Sequence, residues 1–281
     1  MEIIKTVSEV RDIVKKWRKA GHSIGLVPTM GYLHAGHGSL VEQSVKNNDK
    51  TVVSVFVNPA QFGPNEDLEK YPRDIKRDSE LVASLGGDII FKPEPEEMYK
   101  KSNATTVKVE GLSQKLCGIT RPVHFAGVCQ VVSKLFNIVT PDNAYFGLKD
   151  FQQYVIINKM VEDLNFPVKI NPCAIVRDKN GLALSSRNVY LTDEETKSAL
   201  SLNQSLQYAK SLISSGEKKA FFIIDEITKI INNVPYSKID YVKIVDIDTL
   251  DDIDIVEKKY AVLLAVYIGK TRLIDNFTEL S

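Results

Sequence analysis

Over its first 175 residues the chain alternates short aliphatic or β-branched runs with helical patterns, and few folds accept that alternation. Residues 23–28, 51–57, 89–91, 143–146 and 168–171 read as strands. The run at 51–57, TVVSVFV, is strongly β-branched. Thr6-x-x-Glu9 forms a capping box, and Val10, Ile13, Val14 and Trp17 follow at helical spacing. Residues 37–47, 74–85, 128–139 and 150–164 also read as helices. Strand and helix exchanging at this spacing imply parallel βαβ units, and hence an α/β chain with a doubly wound parallel sheet.

The texture changes near residues 173–176. Thr192-x-x-Glu195 opens a long helix to about Ser214, 218–232 reads as another, and 239–246 and 260–268 read as strands. We therefore expect a Rossmann-like domain at 1–174 and a smaller C-terminal α+β domain at 175–281. A chain of 281 residues suits one large or two modest domains.

Charge and cysteine content narrow the function classes. Lys+Arg and Asp+Glu both number 36, so no cationic excess points to nucleic acid. The apolar run at 260–268 is too short to cross a bilayer, and Met1 to Lys5 lack the pattern of a secretory signal. Cys117, Cys129 and Cys173 lack Cys-x-x-Cys spacing and are too few for a disulfide framework. A soluble protein of the reducing cytoplasm is expected.

The residues that carry chemistry lie where strands end. Pro28-Thr29-Met30-Gly31-Tyr32-Leu33-His34-Ala35-Gly36-His37 follows one strand and opens a helix. Ligands of doubly wound sheets bind beyond the carboxyl ends of strands, and helix N-termini favour phosphate. Two of the chain's four histidines fall in this one turn. Asn58 and Gln61 follow the next strand, with Pro59 stiffening the turn; their amides suit hydroxyl and carboxylate groups or, for Asn58 equally, a solvated turn. Lys149 and Asp150 follow the 143–146 strand, where a lysine can meet phosphate and an aspartate can cap a helix. Ser185-Ser186-Arg187 supplies hydroxyls and a guanidinium suited to phosphate oxygens.

Four segments occur in order: Thr29-Met30-Gly31-Tyr32-Leu33-His34-Ala35-Gly36-His37, Val57-Asn58-Pro59-Ala60-Gln61-Phe62-Gly63, Phe146-Gly147-Leu148-Lys149-Asp150-Phe151-Gln152-Gln153 and Leu184-Ser185-Ser186-Arg187-Asn188. The set resembles the pantoate–β-alanine ligase family, within the nucleotidylyl-transferase superfamily that carries a His-x-Gly-His signature. The similarity runs weakly to Arg272-Leu273-Ile274-Asp275-Asn276. The resemblance implies ATP-dependent condensation of pantoate with β-alanine through pantoyl adenylate, releasing pyrophosphate and AMP. It assigns ATP to Met30, Gly31, His34, His37, Gly147, Leu148, Lys149, Asp150, Val176, Leu184, Ser185, Ser186 and Arg187. Of these, His34, His37, Lys149, Ser185 and Arg187 would carry catalysis, with His37 as the family's proton donor. Gln61, Gln153 and Asn58 would take pantoate and β-alanine.

The resemblance further implies Mg²⁺ with the ATP phosphates and a homodimer, without a nucleic-acid or membrane partner. No direct metal ligand is assigned; Asp78 is considered as an outer partner of Mg²⁺, against an ordinary solvated helix face. Tyr71-Pro72-Arg73, after residues 65–70, resembles a substrate-covering segment. His124 resembles a pocket element. Gly38, Val123, Ala126 and Leu148 depart from the family pattern. Gly181 is expected to hinge a phosphate-gripping lid at 179–188. A nucleotidylyltransferase acting on another small substrate, a tRNA synthetase relative and a non-catalytic ATP-binding module are the alternatives.

Overall fold

The structure, a computed structural model, describes residues 1–64 and 66–279. The chain forms two compact units: Met1–Leu148 with Gln153–Ala174, and Ile175–Ser281 with Lys149–Gln152.

The first unit runs β1 (Glu2–Ile4), α1 (Val7–Lys19), β2 (Ile24–Thr29), α2 (Ala35–Asn47), β3 (Lys50–Val55), α3 (Ile75–Ser84), β4 (Ile89–Phe91), the single turns α4 (Pro95–Met98) and α5 (Cys117–Thr120), α6 (His124–Val139), β5 (Asn143–Gly147), α7 (Phe151–Asp163) and β6 (Lys169–Cys173). Its strands pair in parallel in the order β1-β4-β3-β2-β5-β6. The doubly wound sheet inferred from the alternation is therefore present. Between β2 and β5 the winding reverses, which makes their carboxyl ends the switch point of the sheet. Val27, Val53, Ile90 and Tyr145, one from each central strand, join a core with Leu33, Leu40 and Val41 of the turn and helix after β2.

Sequence and structure differ at element ends. The edge strand β1 is only three residues long and offers no readable period. Helix α6 begins at His124, four residues earlier than expected, because contacts with the turn at 58–61 order its first turn. Helix α7 is preceded by a 3₁₀ turn, Leu148–Asp150.

The second unit contains α8 (Asp193–Ser214), α9 (Ala220–Asn232) and the antiparallel sheet β7 (Ser237–Asp246), β8 (Tyr260–Ile268) and β9 (Thr271–Thr278). Thr192 and Glu195 close the expected capping box of α8. Ala199, Leu202, Leu206 and Ala209 form the buried stripe of α8, and Ala220, Ile223, Ile227 and Ile231 that of α9. They cover Val262, Leu264, Val266 and Ile268 of β8. Each fully buried isoleucine contributes about 1.5–3 kcal/mol, so this core outweighs any single cap. Strand β9 escapes the sequence reading because Arg272, Asp275 and Asn276 interrupt its apolar alternation.

Candidate active site

In the first unit the turn after β2 is bound from several sides. Thr29 Oγ1 donates to the Ser54 carbonyl at 2.6 Å and accepts the Gly31 N–H at 3.1 Å. Gly31 has φ +85°, and a Cβ there would stand 2.9 Å from Val55 Cγ1, so the position requires glycine. Asp78, on α3, accepts the N–H of Tyr32 at 2.9 Å and of Leu33 at 2.6 Å. The guanidinium of Arg77 lies 4.9 Å from the Tyr32 ring centre. Burial lifts the Asp78 carboxyl above the usual aspartate range, opposed by the two amides.

This corrects the reading of Asp78 as a solvated helix face: it is buried, and its two oxygens serve backbone amides of the histidine turn. The sequence carried a signal: Asp78 precedes Val82 by four residues and follows Ile75 by three, which puts a carboxylate on the apolar stripe.

His34 caps α2. Its Nδ1 accepts the Gly36 N–H at 3.1 Å, and the His37 Nδ1 accepts the His34 N–H at 3.3 Å. A backbone N–H can only donate, so each Nδ1 is an acceptor and each neutral ring carries its proton on Nε2. The ring centres lie 4.1 Å apart. The two histidines are thus a capping pair in imidazole, presenting Nε2–H groups at a helix N-terminus. Gly38, the next departure from the family pattern, is buried with Leu85 Cδ1 3.3 Å from where its Cβ would be, so a larger residue would crowd α3.

The Asn58–Gln61 turn has a fixed polarity. Ala60 N–H donates to Asn58 Oδ1 at 3.2 Å, and Asn58 Nδ2 donates to the Gly127 carbonyl at 3.0 Å. These backbone groups leave no choice of amide orientation. Asn58 Nδ2 also donates to Gln61 Oε1 at 3.0 Å, so Gln61 turns its Nε2 toward Met30 Sδ, 3.0 Å away. Tyr99 donates its hydroxyl proton to Asn58 Oδ1 at 2.8 Å. Asn58 is therefore corrected from a ligand-facing or solvated amide to a buried one with four partners, whose job is to aim Gln61. His124 Nδ1 meets the Gln61 carbonyl at 3.0 Å. Gly127 lets α6 approach: a Cβ there would stand 2.3 Å from the Ala60 carbonyl oxygen.

Met30 and Gly31 line one side of a cavity of about 210 Å³, with Phe56, Arg73, Asp78 and Lys92 on the others. Tyr71 is buried edge-on against Phe62, at 6.1 Å, and Arg73 folds back on the carbonyls of Leu68 and Tyr71. Asn65, at the start of that segment, lies outside the described residues. Gly147 ends β5 and Leu148 follows it, and Gln153 is half-buried in the first turn of α7.

In the second unit Lys149 is half-buried, Asp150 is exposed, and the Lys149 carbonyl accepts Asn276 Nδ2 at 2.9 Å. Residues 176–184 form a tight hairpin. Leu184 N–H donates to the Val176 carbonyl at 3.0 Å, and Asp178 Oδ1 accepts the N–H groups of Asn180 and Leu182. Gly181, at φ +94°, turns it. Gly181 serves a left-handed turn, held by Arg177 Nη1 on its carbonyl at 3.1 Å. Ser185 follows as the cap of a 3₁₀ helix, Ser186–Tyr190, its Oγ accepting the Arg187 N–H at 3.3 Å. Ser186 is buried and Arg187 half-buried.

Residues 2–278 match the family model described as pantoate-beta-alanine ligase. The pantothenate synthetase of Clostridioides difficile (strain 630) is 56% identical over 276 residues, which covers 98% of each chain. Two solved structures agree across the whole length. The crystal structure of pantothenate synthetase from Thermus thermophilus is 42% identical, with TM-score 0.94 and 99% of both chains covered. That of the pantoate-beta-alanine ligase from Francisella tularensis, complexed with beta-gamma ATP and beta-alanine, is 33% identical, with TM-score 0.81 and 100% and 98% coverage.

Proposed function

The chain belongs to the pantoate–β-alanine ligase family, and from that premise we propose how its residues perform the ATP-dependent joining of pantoate to β-alanine. Carboxylate is a poor acylating group, so ATP must first supply a leaving group. A pantoate carboxylate oxygen attacks the α-phosphorus, pyrophosphate departs and pantoyl adenylate forms. The amine of β-alanine then attacks the acyl carbon, and AMP leaves with the acyl C–O bond pair. No side-chain nucleophile is needed; catalysis rests on positioning and charge stabilisation.

The observation that carries this reading is the histidine pair, whose Nδ1 atoms are engaged by backbone donors. The Nε2–H groups of His34 and His37 donate hydrogen bonds to phosphate oxygens at the N-terminus of α2, which is the role behind the proton-donor label that the resemblance attaches to His37. Lys149, Ser185 and Arg187 take the remaining charge of the triphosphate. Met30, Gly31, Gly147, Leu148, Asp150, Leu184 and Ser186 contribute contacts to ATP. Val176 meets adenine through its backbone, for which its N–H is the suited group, since its carbonyl serves Leu184. Gln61 offers Nε2 to oxygens of pantoate, and Gln153 joins it. Mg²⁺ enters on the ATP phosphates and not on a protein-built site. The family resemblance supports a homodimer, and three buried cysteines outside any disulfide suit a reducing cytoplasm.

The test is pyrophosphate release from ATP and pantoate, with and without β-alanine. Release with pantoate alone, and pantothenate only when β-alanine is added, is the expected result. A requirement for β-alanine before any pyrophosphate appears overturns the adenylate sequence.

A further inference from the structure

Two consecutive residues of β9 hold two chain segments that are far apart in sequence. Asp275 is 2% exposed and forms a bidentate pair with Arg177: Nη1 to Oδ2 at 2.6 Å and Nη2 to Oδ1 at 2.8 Å. The same Nη1 reaches the Gly181 carbonyl, so the pair fastens the 176–184 hairpin that leads into Ser185 and Arg187. Asn276, 3% exposed, donates Nδ2 to the carbonyl of Lys149, 127 residues away. The Asn276 N–H returns to Asp275 Oδ1 at 2.8 Å, tying the two fastenings together.

The segment Lys149–Gln152 groups with Ile175–Ser281 and not with the sheet unit from which it emerges. Stability alone does not call for this arrangement. A buried ion pair is often matched or bettered by apolar residues of similar volume, whereas its directionality is not. A bidentate guanidinium–carboxylate pair fixes orientation as well as distance.

We infer that Asp275 and Asn276 are positioning residues that hold Lys149 and the Ser185–Arg187 segment as one phosphate-gripping body. Neither touches ATP. Each acts through backbone or Arg177, so the second unit by itself fixes Lys149 relative to the Ser185–Arg187 segment. The inference rests on the assignment of Lys149, Ser185 and Arg187 to ATP.

Asn276→Asp places a carboxylate against the Lys149 carbonyl at unchanged size, and Asp275→Asn removes one side of the bidentate pair. In variants that remain folded by circular dichroism, the KM for ATP in pyrophosphate release should rise at least tenfold while the KM for pantoate stays within twofold. Hydrogen exchange carries the second arm. Asn276→Asp should deprotect the peptides at 147–153 and 176–188 together. Arg177→Lys, which keeps the charge and loses the fork, stands in if Asp275→Asn does not fold and should deprotect 176–188. Folded variants with normal ATP kinetics, or deprotection at 147–153 alone, overturn the inference. Wild-type protein that releases no pyrophosphate with pantoate would instead overturn the functional assignment, and the exchange arm would still decide the linkage.

Discussion

The carboxylate of Asp78 accepts the backbone N–H of Leu33 at 2.6 Å, across 45 positions of sequence, and with the neighbouring Tyr32 N–H at 2.9 Å it sets the shape of the histidine turn. Asn at this position cannot reproduce the contact, because one of its two polar atoms is a donor facing a donor. Asp78→Asn should destabilise the protein by about 1–3 kcal/mol and slow adenylation. The pH dependence has a definite sign. Burial raises the folded pKa of Asp78 above its ordinary value of 3.8, so the folded state holds this proton more tightly than the unfolded state. The stability linked to this proton is full below 3.8 and declines as pH rises through the folded pKa, while the acceptor capacity that Asp78→Asn lacks remains. The gap in melting temperature between wild type and Asp78→Asn should therefore narrow from pH 4 to 7 without closing; a constant gap would show that this carboxyl is unperturbed.

His34→Ala and His37→Ala should each slow pyrophosphate release, by roughly 3–4 kcal/mol of barrier for the loss of one preorganised donor. His34→Ala should also lower stability by about 1 kcal/mol, since it removes a helix cap. Aminolysis of preformed pantoyl adenylate by β-alanine should be less affected. Single-turnover assays separate the two halves, and equal losses in both would place the histidines elsewhere in the reaction.

The chain of amides behind Gln61 predicts a ranked set. Asn58→Asp turns a donor into an acceptor against both Gly127 and Gln61, which costs about 1–3 kcal/mol and should raise the KM for pantoate far more than that for ATP. Gln61→Ala and Gln153→Ala should show the same bias without the stability loss. Tyr99→Phe should be the mildest, within about 1.5 kcal/mol, because Ala60 N–H still fills Asn58 Oδ1. Steady-state kinetics with each substrate varied in turn gives the order; a collapse of ATP affinity in Gln61→Ala would contradict it.

For the segment at 179–188, hydrogen exchange with and without a non-hydrolysable ATP analogue should show a graded response. The hairpin at 176–184 is already hydrogen-bonded, so its protection should change little. The gain should fall on residues 185–188, which carry the hydroxyls and guanidinium proposed to meet phosphate. Identical exchange at 185–188 in a saturated sample would mean that this stretch is a fixed wall.

Two of the thiols offer a simple check on the core. Burial pushes Cys129 and Cys173 up to about 11, so at pH 7–8 almost no thiolate is present at these two positions in the folded protein. A neutral disulfide reagent should label them slowly in native protein and at once in denaturant. Rapid native labelling would indicate local opening of α6 or β6.

What the sequence determined was local or periodic. Alternating strand and helix patterns specified the doubly wound sheet, and the capping boxes at Thr6 and Thr192 marked where α1 and α8 begin. Short motifs at strand ends put forward His34, His37, Gln61 and Lys149 as candidates, because in such sheets chemistry collects where strands give way to turns. The roles of Asp78, Asn58, Tyr99 and Asn276 were decided only in three dimensions. A polar residue in a sequence looks the same whether water or a distant backbone amide satisfies it. Only tertiary packing removes the water, and a buried polar atom must then find its partner across the fold, as Asp78 finds Leu33 and Asn276 finds Lys149.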